Sequence, residues 1–126
     1  MGVASGLTAS ITLKVEEGDT ALAIGSGDVP VLATPRLVTL VEQASVAALG
    51  SKLGPDKTSV GYEVQLAHLS PTPVGSEVTA EATLESVEGR RLTFRVAVTD
   101  ARGLVAAGRI TRVVVVRETR ASDYAR

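Results

Sequence analysis

The chain has no cysteine, no tryptophan, one phenylalanine and one histidine in 126 residues. Without cysteine there can be no disulfide, no thiol nucleophile and no thiolate metal site. A zinc or iron centre would have to rest on the lone His68 and carboxylates, so no metal is expected. Phe94, Tyr62 and Tyr124 are the only aromatic side chains, which removes the stacking platforms that hold single-stranded nucleic acid. An excess of either charge is also missing. Thirteen Lys and Arg stand against fourteen Asp and Glu, a formal charge of −1, so a globally basic nucleic-acid or membrane surface is excluded. The longest apolar runs, such as residues 113–116, are far too short to span a bilayer. No basic stretch leads into an apolar core at the N-terminus, and Gly6 stands where a myristoylation signal needs Ser or Thr. The expectation is a soluble cytoplasmic protein with no membrane and no nucleic-acid partner.

What is present is aliphatic. Hydrophobic residues make up 44% of the chain and charged ones 21%, enough for the core of one domain over residues 1–126. Residues 9–16 alternate as a strand, with Ile11, Leu13 and Val15 on one side. After a turn at residues 17–19, residues 20–24 read as a second short strand, and residues 25–28 as a loop. The one convincing helix follows: Thr34 suits the N-cap, Pro35 the first turn and Gly50 the C-terminal stop. Its apolar residues wrap most of its circumference, so a curling sheet or a partner subunit must cover it. Residues 58–69 form a long strand with Val60, Tyr62, Val64, Leu66 and His68 on one face and Gly61 on the other. Strands at 76–87, 91–100 and 104–117 complete the order β-β-α-β-β-β-β. The Val113–Val116 run suggests burial on both faces, and residues 118–126 read as a flexible tail. Successive antiparallel strands with one early helix make an α+β fold, a curved sheet wrapped around the helix.

Three side chains could carry chemistry. His68 is the only group whose ordinary pKa lies near neutrality, though a histidine at a strand end also serves structure. Glu42 sits among helix aliphatics, where desolvation would raise its pKa; otherwise it shares the helix's one polar stripe with Gln43 and Lys52. Thr34 is a natural helix cap, and a helix N-terminus also favours developing negative charge.

Their spacing resembles a known pattern. The run Val31-Leu32-Ala33-Thr34-Pro35-Arg36-Leu37, Glu42 eight residues beyond Thr34, Gly61, and His68 leading into Leu69-Ser70-Pro71-Thr72-Pro73-Val74-Gly75 resemble the fluoroacetyl-CoA-thioesterase-like family of hotdog-fold proteins. The resemblance covers residues 9–117. It implies a hotdog fold, a homodimer with active sites at the subunit interface, and a thioester carried on coenzyme A, with no cofactor beyond that. It places Thr34, Glu42 and His68 on the catalytic triad and Gly61 at the small position by the acyl group. Glu42 could attack the carbonyl or serve as base for water, His68 could activate water and protonate the thiolate, and Thr34 could orient Glu42 or stabilise the oxyanion.

The sequence departs from the family in one place. The fluoroacetate-specific member carries lid phenylalanines just before the helix, and here residues 25–29 contain no aromatic residue. Another acyl group is therefore expected. Arg36 and Arg112 are candidates for the CoA phosphates, with Arg90, Arg91 and Arg109 also available. Two alternatives stay open on the same fold: a non-catalytic acyl-CoA or small-ligand binder, and an acyl-thioester dehydratase or hydratase.

Overall fold

The helix read from the sequence carries most of the core. In the computed structural model, which describes residues 2–125, it runs Thr34–Leu49 (α2) and buries Leu37, Leu40, Val41, Ala44, Ser45, Ala48 and Leu49. These recur at three and four residues, so one broad stripe of the helix faces the sheet. Gly50 ends it at a positive φ of 53°.

Five strands make one antiparallel sheet: β1 (Thr8–Lys14), β2 (Lys57–His68), β3 (Glu77–Glu88), β4 (Arg91–Asp100) and β5 (Gly103–Val116). Their spatial order is β1-β3-β4-β5-β2, so β1 and β2 are the edges. Alternation decides which face turns inward: Val78, Ala80, Ala82 and Leu84 of β3 and Leu92, Phe94, Val96 and Val98 of β4 are buried. α2 packs most closely against β1 and β3 and touches all five strands. The expected α+β architecture is the one observed.

Three local expectations are corrected. Residues 20–24 form no second strand. Thr20 makes a single bridge to Leu32, its Oγ1 then accepts from Ala23 N, and Ala21–Ile24 turn into a one-turn helix (α1) closed by Gly25 at φ 87°. The cap and the left-handed glycine outweigh the short apolar pattern. The order is therefore β-α-α-β-β-β-β, apart from two 3-10 turns at Glu17–Asp19 and Ala121–Tyr124. The Val113–Val116 run is not buried on both faces within the chain: Val114 is buried on one face and Val116 beyond it exposed, while Val113 and Val115 on the other face are only half-buried.

The third correction matters for function. β2 does not alternate regularly. Gly61 pairs with Arg112 and Glu63 with Thr111, so Tyr62 is an extra residue in a β-bulge. A bulge shifts the face of everything beyond it. Gly61 thereby joins Val64, Leu66 and His68 on the helix-facing side, where strict alternation would oppose them.

Further along the same ladder Gly108 of β5 lies against the carbonyl of Gln65, and a Cβ there would fall on that oxygen and on the backbone of Leu66. Neither backbone can yield without breaking the β2–β5 ladder. Gly108→Ala should therefore destabilise the fold by about 2–3 kcal/mol, an overpacking cost. Denaturant unfolding measures this directly, and an unchanged midpoint would show that the strands part there at no cost.

Candidate functional site

The start of α2 is anchored from outside the helix. Ala33, in an extended conformation, takes the N-cap, so Thr34 is the first helical residue and its hydroxyl is not used as a cap. Ala33 N donates to Asp19 O, and Arg36 Nε donates to Asp19 Oδ1 at 3.0 Å. Leu32 N donates to Thr72 O, which ties the helix entrance to the turn that follows β2. These contacts hold Thr34 beside the end of β2, where His68 pairs with Ala106. Thr34 Oγ1 and His68 Nδ1 are 2.7 Å apart.

That distance is a hydrogen bond between a hydroxyl and an imidazole, and either atom can donate. If the hydroxyl donates, His68 Nδ1 is placed to take its proton, the geometry of an activated nucleophile. The other ring nitrogen, Nε2, is buried and has no hydrogen-bond partner among the described residues. Burial holds the His68 pKa below its usual value, and the backbone of Ser70 offsets part of that. The ring is therefore neutral at neutral pH and able to accept a proton.

Glu42 lies two turns further along α2, about 12 Å at 1.5 Å per residue. It is neither fully desolvated nor on a free polar stripe. Its Oε2 is 3.6 Å from Arg112 Nη1, with the Glu42 side chain 38% exposed and that of Arg112 8%. Arg112 is fixed from the other side by Ser59, donating Nε to Ser59 Oγ at 2.8 Å and Nη2 to Ser59 O at 3.1 Å. Burial lowers the Arg112 pKa, and the nearby Glu42 raises it. Gly61 lies under this pair: a Cβ there would sit 2.7 Å from Glu42 Oε2. The glycine makes room for the carboxylate itself. An open cleft of about 390 Å³, lined by Thr39, Glu42, Gln43, Val46, Ala47 and Arg112, adjoins it.

One chain thus brings Thr34 and His68 together and sets Glu42, Gly61 and Arg112 apart from them. His68 lies seven positions beyond Gly61 in β2, about 20 Å along the strand once the bulge is allowed for. The two half-sites share the helix-facing side of β2 and lie toward opposite ends of it. Arg112, expected on an exposed face, is buried, and Arg36 is occupied by Asp19. Ser59 was missed altogether. No local signal marks it, because its role depends on the pairing of β2 with β5.

The surfaces around both half-sites are apolar and open. Val46 of α2 is 51% exposed and Tyr62 of the bulge 61% exposed, with Val60 and Val64 beside them on the unpaired edge strand. Just before α2, Leu22, Ile24 and Val29 are exposed as well.

Comparison with known proteins bears on the family and the fold. The family described as fluoroacetyl-CoA-specific thioesterase matches residues 15–118. The fluoroacetyl-CoA thioesterase of Streptantibioticus cattleyicolor is 40% identical over 85 residues, 68% of this chain and 61% of that protein. The chain therefore spans about three fifths of the curated relative it matches. A crystal structure of a variant of the fluoroacetyl-CoA-specific thioesterase FlK in complex with fluoroacetate and CoA superposes with a TM-score of 0.84 at 31% identity, covering 90% of this chain and 95% of that one. A Thermus thermophilus protein described as a thioesterase superfamily member gives 0.85 at 27% identity over 98% and 89%. The hotdog fold expected from the sequence is the fold of these neighbours.

The single histidine allows an unambiguous titration. The depressed pKa means that the unfolded chain binds a proton first as pH falls from about 6.5. The contribution of His68 to stability is then complete above about 6.5 and is lost as pH drops through the folded value. An NMR titration of the one imidazole should give a midpoint below 6.5. A midpoint at or above 6.5 would mean that the ring is not desolvated.

Proposed function

Because the chain belongs to the fluoroacetyl-CoA-specific thioesterase family, we propose that it hydrolyses an acyl-CoA thioester to the free acid and coenzyme A. The observation that carries this reading is the 2.7 Å contact between Thr34 Oγ1 and His68 Nδ1. Neutral His68 takes the hydroxyl proton as Oγ1 attacks the thioester carbonyl, and returns it to the departing thiolate. Water activated by Glu42 then cleaves the acyl-threonine, and the proton Glu42 takes is returned to Oγ1 as the ester bond breaks. The start of α2 lies beside the oxygen that becomes negative, where the helix dipole favours that charge.

Glu42 enters through a second copy of the chain. β2 is a twelve-residue edge strand with exposed Val60, Tyr62 and Val64, and such an edge invites pairing with another strand. A two-fold dimer pairs like with like. An antiparallel β2–β2 contact centred on Gln65 sets Gly61 opposite His68 of the partner subunit, because the bulge has put both on one face. Glu42 and Arg112 of one protomer then close over the Thr34–His68 pair of the other, and the exposed Val46 face of α2 is covered. In this homodimer each site is composite. Glu42 serves as base toward the hydrolytic water, and Gly61 and Arg112 line the acyl end. The residues before α2 offer Leu22, Ile24 and Val29 and no aromatic ring, which favours an aliphatic acyl group over fluoroacetyl.

Glu42→Gln and His68→Ala should each lower thiol release from a panel of short acyl-CoAs by about 10²-fold or more. Mixed and reassembled, the two inactive variants should recover about a quarter of wild-type turnover, since half of the dimers are mixed and each mixed dimer holds one intact site. No recovery, with mixed dimers shown to form, would place all three residues in one chain's site. Release of enoyl product without free CoA would favour a dehydratase, and CoA-ester binding without turnover a binding protein.

Gly61→Ala should leave the fold intact, because the atom it meets is the end of a flexible side chain. It should still reduce turnover about tenfold or more by moving the Glu42 carboxylate. Wild-type turnover in this variant would remove Glu42 placement from the mechanism.

A further inference from the structure

The reading above leaves the phosphates of coenzyme A without a site, and Arg36 and Arg112, the cations first expected to hold them, are engaged elsewhere. Arg36, Arg102, Arg109, Arg112 and Arg120 are paired with carboxylates, and Arg91 lies over the Tyr62 ring at 4.8 Å. Three of the remaining cations gather at one end of the sheet. Lys57 opens β2 opposite Val116, Arg117 follows β5 and donates its N–H to Asp56 O, and Arg90 accepts at its carbonyl from Val114 N. All three are exposed, and none is in an ion pair among the described residues.

They also share cavities. Lys57 and Arg117 line a cleft of about 450 Å³ with Thr58 and Ser59. Lys57 and Arg90 line an adjoining one of about 230 Å³ over Val114–Val116. Ser59 connects this cleft to the acyl end, because its hydroxyl and carbonyl hold Arg112 beside Glu42. From Lys57 to Gly61 the strand rises about 13 Å, within the span of an extended pantetheine arm.

We infer that Lys57, Arg90 and Arg117 form the subsite that takes the 3′-phosphate and pyrophosphate of coenzyme A. This rests on the acyl-CoA reading, though the subsite can be tested by binding alone. Unpaired cations converging on one cleft supply the charge-assisted hydrogen bonds that phosphate oxygens require. The thioester arm then runs past Ser59 toward Gly61.

Two measurements test this: calorimetric titration with CoA, and kcat/KM for one acyl group carried on CoA and on pantetheine, which lacks these phosphates. Lys57→Ala with Arg117→Ala should weaken CoA binding about tenfold or more. It should lower kcat/KM on acyl-CoA by a similar factor and on acyl-pantetheine by less than about twofold. Arg90→Ala alone should act in the same direction, Lys57→Arg should restore binding, and Arg95→Ala, on the opposite face of the sheet, should change neither quantity. If the double variant does not fold, Lys57→Gln and Arg90→Ala carry the test. Unchanged CoA affinity, an equal loss on the pantetheine substrate, or ATP bound as tightly as CoA would each overturn the inference. Loss of CoA binding in these variants of a protein that turns over no acyl-CoA would uphold the subsite and defeat the hydrolase reading.

Discussion

A carboxylate from α2 and a guanidinium from β5 meet above a stretch of β2 backbone that carries no side chain. Glu42 can lie there only because residue 61 is glycine. Arg112 can be buried there only because Ser59 satisfies its donors and Glu42 its charge. Removing a guanidinium from water is costly unless hydrogen bonds and an opposing charge compensate. The junction couples three elements, and the bulge at Tyr62 sets its geometry. That bulge turns Gly61 toward the helix and keeps His68 on the same side, so one edge strand presents both halves of the site to the same layer.

The elements were legible in the sequence where a period was strong. The α2 stripe, the alternation of β3 and β4 and the glycine stop at residue 50 follow from 3.6-residue and two-residue repeats. Residues 20–24 failed because five residues give too short a pattern to separate a strand from a capped turn. The face of Gly61 failed because a bulge is created by pairing with β5, which the sequence of β2 alone does not contain. Among the candidate site residues, Thr34, Glu42, Gly61 and His68 were singled out through register. Their division into two half-sites was not, since a one-dimensional spacing carries no distance across a sheet. Ser59 and the occupied state of Arg36 depend on partners 53 and 17 residues away.

The same division explains an otherwise costly surface. A domain with so little aromatic content builds its core from Val, Leu and Ala, and such cores are small. Leaving Val46, Val60, Tyr62 and Val64 exposed forfeits burial that a small domain can ill spare. In the proposed dimer a second copy would recover that burial and, by the symmetry of an isologous contact, would complete two sites at once. Under that proposal stability and catalysis would favour the same interface, and the exposed edge would follow from where the reacting groups sit.

The Glu42–Arg112 pair also constrains how any variant of Glu42 can be read. With the carboxylate replaced, Arg112 keeps its Ser59 bonds but loses the charge that offsets its burial. Truncating one partner of a buried pair leaves the other charge uncompensated, and the measured loss then includes that penalty. Here Glu42 is more than a third exposed, so solvent screens the pair and the penalty is reduced. A large fall in turnover with little change in unfolding would therefore report on chemistry at Glu42. A parallel fall in both would report on Arg112. Gly61→Ala separates the two further, because it shifts the carboxylate without removing its charge.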